Sequence, residues 1–214
     1  MVLDLLVIGT AITLGPLHNS AFILLLSSRR GVRQGLAFLL SWLANLIAVI
    51  ACVVLLTGGQ PPAHHSPPST AAVAAKLGIG LALVLYGGYR RRRPPRPHGP
   101  PRWRARIDDA STVTAAGLAW VLQPWALVGA GAATAVDADL STLSDWLALS
   151  GYCLLATLSL IVMEMFTIWA PTTANARLDA LRDWMDQHQE QLIVTLSLIV
   201  GLWLMGRSIY DLVV

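Results

Sequence analysis

The sequence predicts an all-α membrane protein of six transmembrane helices, arranged as two inverted three-helix repeats with both termini outside. Three observations carry this expectation. Of 214 residues, 55% are hydrophobic and 13% charged, about half the charge of a soluble domain; mean hydropathy is +0.61. The apolar residues fall in blocks long enough for membrane helices at ~20 residues per crossing, not in the short alternating runs of an outer-membrane barrel. The arginines occupy alternate loops. Together these exclude a soluble enzyme, a disordered chain and a disulfide-framed secreted domain.

The spans read from hydropathy are Leu5–Leu26, Leu36–Leu56, Ala71–Tyr89, Val113–Ala135, Leu147–Ala170 and Leu192–Leu212. They form a single integral membrane domain, 1–214, divided into a first repeat (1–89), a basic proline-rich joint (90–110) and a second repeat (111–214). The N-terminus has no basic region, and the apolar stretch after Asp4 is too long for a signal-peptide core. Arg29, Arg30 and Arg33 lie between spans one and two. Arg90, Arg91, Arg92, Arg93, Arg96, Arg102, Arg104 and Arg106 lie between three and four, and Arg177 and Arg182 between five and six. Loop 58–70 is uncharged, and 136–146 carries Asp137, Asp139 and Asp145. The positive-inside rule makes the arginine loops cytoplasmic. With fourteen of the fifteen basic residues being Arg, composition points to a GC-rich bacterium and hence to its inner membrane.

The prolines at 94, 95, 97, 100 and 101 keep the first half of the joint from forming a regular helix. Its arginines suit anionic lipid headgroups. They abut a span and belong to no recognition module, which argues against nucleic acid. Before span six, residues 174–190 place Leu178, Leu181, Trp184 and Met185 on one face. This predicts a separate short amphipathic helix in the cytoplasmic interface.

The repeat is visible in Leu14-Gly15-Pro16 and Leu122-Gln123-Pro124, two Leu-x-Pro motifs 108 residues apart, each near the middle of its span. Three spans per half force the halves to insert in opposite orientations, the arrangement in which broken helices meet at the midplane around a substrate site. Each proline frees a mid-membrane carbonyl, Ile12 for Pro16 and Trp120 for Pro124. His18, Asn19 and Gln123 stand beside these breaks. Two roles are open to them: to satisfy the freed carbonyls and tie helices together, or to contact a substrate or proton in a wet cavity. Pro16, His18, Asn19, Gln123, Pro124 and Trp125 are therefore the candidate substrate-binding residues.

Glu164 is the one carboxylate well inside a span, and with His18 it is the candidate for proton coupling. A snorkelling or Arg-paired Glu is the structural alternative. Lys76, near the outer end of span three, is expected to snorkel outward. Trp103, Trp146, Trp169 and Trp184 read as interface anchors. Trp42, Trp120 and Trp125 lie deeper, where rings pack in a core or offer apolar faces to a sugar. Cys52 and Cys153 read as small buried hydrophobes. His64 and His65 lack the spacing of a metal site. With no phosphate loop, nucleophile elbow or metal-binding motif, no catalytic residue, metal or cofactor is expected.

Several stretches resemble the peptidoglycolipid-addressing protein family, also called GAP or sulfolipid-addressing proteins, within the lysine-exporter superfamily. They are the first Leu-x-Pro span, "LLLSSRRGVRQGLAFLLSW", "PRWRARIDDAS", the second proline span and "RLDALRDWMDQHQEQLIVTLSLIVGLWLMGRSI". The resemblance implies a six-span inner-membrane protein that helps move envelope glycolipids toward the cell surface. Two departures stand out: Gln123-Pro124-Trp125-Ala126 where the family has an Asn-Pro-Lys-Asn-like motif, and Met163-Glu164 where span five usually carries a proline. The expected partners are a membrane lipid or glycolipid substrate and anionic headgroups, with a homodimer left open. The alternatives are an exporter of amino acids or other small solutes and a non-transporting accessory subunit. A thiol relay is disfavoured because the cysteines stand away from the prolines.

Overall fold

A computed structural model describes residues 1–56, 70–92, 111–136 and 143–213. Most of the basic joint, including Arg93 to Arg106, and the loops holding His64, His65, Asp137 and Asp139 lie outside the described residues.

The described chain forms eight helices: α1 (Val2–Thr13), α2 (Pro16–Leu26), α3 (Gly31–Leu56), α4 (Thr70–Arg91), α5 (Thr112–Leu122), α6 (Trp125–Ala135), α7 (Leu143–Trp169) and α8 (Pro171–Val213). Four are long and apolar enough to cross a membrane alone. The pairs α1/α2 and α5/α6, bent by 48° and 69°, bring the number to six if each is counted as one span. Local chemistry sets both bends. A residue before proline is pushed out of the helical region toward extended ψ, and Gly15 (ψ 123°) and Gln123 (ψ 134°) are both extended. Each proline then restarts a helix, where its missing N–H costs nothing.

The helices pack in corresponding pairs: α1 on α7 and α5 on α3, α2 on α8 and α6 on α4, with α4 on α8 and α3 on α7. The α4–α8 crossing is backbone to backbone. A Cβ on Gly80 would lie 2.9 Å from the Gly201 carbonyl oxygen, and one on Gly201 2.8 Å from that of Gly80, the close approach that small residues permit between membrane helices. Toward the arginine end, Arg90 and Glu190 join the same two helices at 2.8 Å. At the other end Asp4 is buried. It accepts from Trp203 Nε1 at 3.0 Å and pairs with Arg207 at 3.8 Å, tying α1 to α8.

Residues 174–190 differ from expectation. They are not a separate helix but the first half of α8, whose 43 residues run about 64 Å. No proline or glycine falls between Thr172 and Val200, and Arg182 pairs with Asp186 one turn on at 3.8 Å, so nothing interrupts the helix. The expected apolar face also divides. Leu178 and Met185 are buried with Ala174, whereas Leu181 and Trp184 are exposed. Ser27, after α2, donates to Asp179 at 3.4 Å. Lys76 departs from expectation too: it is 2% exposed and buried along α4.

Candidate functional site

A cavity of about 380 Å³ lies where the two breaks approach each other. Pro16, His18, Gln123, Pro124 and Trp125 line it, with Leu83 and Tyr86 of α4 and Leu196 and Ser197 of α8 completing the wall. Leu17, Tyr86 and Trp125 are exposed on the flank of the bundle, so the cavity opens sideways. Toward the arginine end, Tyr86 accepts a hydrogen bond from Arg90 Nε at 3.1 Å.

At the first break the freed carbonyls are met from within the same span. Ile12 accepts from the Gly15 N–H at 3.0 Å and from the His18 ring. Thr13 accepts from Asn19 Nδ2 at 2.8 Å. Asn19 does not reach the cavity; its oxygen accepts from Ser159 of α7 at 2.9 Å. His18 thus does what the structural reading assigns it and lines the cavity as well. Its Nε2 is buried with no partner, so the ring meets Ile12 through Nδ1–H and turns a lone pair elsewhere.

At the second break the polar tie runs to another helix. Gln123 Oε1 accepts from Asn45 Nδ2 of α3, and Gln123 Nε2 remains buried without a partner. Asn45 is a site residue that sequence reasoning missed. Its signal was present: a polar side chain in the middle of the second span, three residues after Trp42. The buried positions of α3 include Gly35, Phe38, Trp42 and Asn45, a stripe at helical spacing. Each meets a different partner: Glu164, Phe22, His18 and Gln123 in turn.

Glu164 lies on this stripe, away from the cavity. It is 2% exposed, neither carboxylate oxygen has a hydrogen-bond partner, and no described arginine pairs with it. It presses on Gly35, where a Cβ would collide with its Oε2. His18 and Glu164 are not brought together. Between them stand Trp42, tilted against His18 at 4.6 Å, and Phe38, stacked on Trp42 at 5.9 Å and 5.4 Å from Phe22. These aromatic rings are fully buried. Trp42 is therefore core, whereas Trp120 and Trp125 pair edge-on at 5.5 Å and are 56% and 45% exposed. Cys52 is exposed and Cys153 buried.

Apolar helices in this number, two broken near their middles around a lateral cavity, define a multi-pass helical membrane protein. Residues 5–210 match the model of the family described as Sap, sulfolipid-1-addressing protein, and the chain belongs to that family. No curated protein and no solved structure matches it.

Proposed function

We propose that this protein is an inner-membrane lipid transporter, moving a cell-envelope glycolipid or lipid precursor toward the cell surface, with its site between the broken helices. One observation carries the reading: both prolines border a single cavity that opens on the flank of the bundle, where a lipid enters from the bilayer. A solute drawn from water needs an opening at an end. The family's description adds support, since it names a sulfolipid-1-addressing protein.

The two halves are inverted repeats of three spans within the lysine-exporter superfamily, and both termini face outside. Exchanging the halves converts α1–α7 into α5–α3 and α2–α8 into α6–α4, and leaves α4–α8 and α3–α7 as self-pairs. That is the pattern expected of a two-fold axis in the membrane plane. The arginine end is cytoplasmic, and its arginines hold anionic headgroups. Glu164, buried and unpaired, carries the proton coupled to export, and the aromatic stack keeps that step apart from the cavity.

The test is export itself. Deleting the gene is expected to deplete one envelope lipid class and accumulate it in the inner membrane, as measured by lipidomics of separated membranes. Restoring the gene with Glu164→Gln is expected to give normal protein amounts and at least tenfold slower export. An unchanged lipid profile in the deletion strain would overturn the transport reading. Full export by the Glu164→Gln protein would remove the coupling role alone.

A further inference from the structure

We infer that Asp4, Trp203 and Arg207 form a gate that closes the far side of the cavity and must part for its occupant to leave. This rests on the transport reading and adds the regulation of that site. The cavity lies on the arginine side of the Gly80–Gly201 crossing. Leu83 and Tyr86 follow Gly80 toward Arg90, and Leu196 and Ser197 precede Gly201 on the Glu190 side. Beyond the crossing the bundle is shut. Ala11 is the α1 residue in the cavity wall, and Ile8, Leu5 and Asp4, which lie on from it toward the opposite end, are buried. On α8, Leu204 and Ser208 are buried as well. Alternating access needs an exit at this end, and a polar cluster between α1 and α8 occupies it.

The chemistry of the cluster suits a contact that opens and recloses. Asp4 is a carboxylate held out of water, where an unpaired charge is costly. It accepts from Trp203 Nε1 at 3.0 Å and pairs with Arg207 at 3.8 Å, and the Met1 amino group lies 3.5 Å away. Arg207 is exposed and has further company on its own helix: the Asp211 carboxylate at 3.4 Å and the Tyr210 ring at 5.6 Å. When α1 and α8 part, Arg207 therefore keeps a counter-charge. Asp4, in the first turn of α1, meets the water that enters. Neither charge is left stranded in an apolar interior, which keeps the closed and open arrangements close in free energy.

The experiment uses the full chain in lipid nanodiscs, where a membrane-impermeant maleimide reaches both faces. Cys52 and Cys153 are replaced by alanine, and single cysteines are placed by Ser208→Cys, beyond the gate, or Ser197→Cys, in the cavity wall. Asp4→Asn keeps the shape and removes the charge. It is expected to speed labelling at 208 by roughly fivefold or more and to slow it at 197, because one side closes as the other opens. Unchanged labelling at 208 would overturn the gate. So would faster labelling at both positions, which is what loosening a structural tie produces. Trp203→Phe removes the indole donor and leaves both charges; it is expected to shift both rates the same way by a smaller factor, and it decides the matter if Asp4→Asn does not fold. In cells, Asp4→Cys with Trp203→Cys, bridged by a short bifunctional thiosulfonate, is expected to slow export at least tenfold until reductant is added. Full export by the bridged protein would overturn the gate while leaving the transport reading in place. An unchanged lipid profile in the deletion strain would remove the transport reading, and the labelling rates would still decide whether the contact opens.

Discussion

The two broken spans obey one rule and solve its consequence differently. Both place an extended residue before proline in mid-span. The first, bent by 48°, answers its own carbonyls: His18 and Asn19 follow Pro16 and fold back onto Ile12 and Thr13. The second, bent by 69°, has no such residues after Pro124, where Trp125, Ala126 and Leu127 follow. Its one polar side chain, Gln123, precedes the proline and reaches across to α3. A break closed by its own span is a fixed joint. Asn19 adds a tie to α7 through Ser159, but the second break has only its neighbour to hold it, so its geometry is the one that can change with α3.

The largest expected effect comes from the wall shared by both breaks. Gly201→Leu drives a side chain into the Gly80 carbonyl, and backbone on both sides cannot give way. A loss of about 3 kcal/mol or more is expected, seen as failure to recover monodisperse protein. A folded Gly201→Leu protein of normal thermal midpoint would mean that α4 and α8 do not hold the two breaks together.

Asn19→Leu tests the first break next. It removes the donor to Thr13 and the acceptor for Ser159 at once, and about 2 kcal/mol is expected in reversible unfolding. The second break should behave otherwise. Gln123→Leu or Asn45→Leu alone should cost about 1 to 2 kcal/mol by leaving its partner unpaired, while the double substitution should recover most of that. Additive losses in the double variant would show that the Asn45–Gln123 tie is not the constraint on α5/α6. The smallest effect belongs to Ser159→Ala, about 0.5 to 1 kcal/mol. It spares the Asn19 bond to Thr13 and should leave ligand binding untouched.

Much of this was legible in the chain. Hydropathy located the apolar helices, and Pro16 and Pro124 marked the breaks because proline's missing N–H acts locally, whatever the tertiary context. Five of the six residues proposed for the site border one cavity; Asn19 does not, since its side chain turned toward Ser159. Asn45 escaped notice because its role is set by a partner 78 residues away, and no local pattern records such a pairing. Residues 174–190 were separated from span six because polarity changes there. Helix continuity, however, follows backbone propensity rather than hydropathy. Lys76 was misplaced by a rule for isolated spans that ignores a neighbour such as α8.

The length of α8 has a mechanical consequence. Gly201 touches the Gly80 carbonyl, so the crossing is a fulcrum on which α8 has no side chain to slide. Ala174, buried under the arginine end, lies about 40 Å along the same rod. A tilt of roughly 10° about the fulcrum carries that end through about 7 Å, given the rise per residue. It swings Leu196 and Ser197, on the same arm but close to the pivot, through only about 1 Å. The helix is thus geared. A large displacement of its water-facing half is reduced to a fine adjustment of the cavity wall, and the Arg90–Glu190 pair, partway along the arm, acts as the stay that resists it.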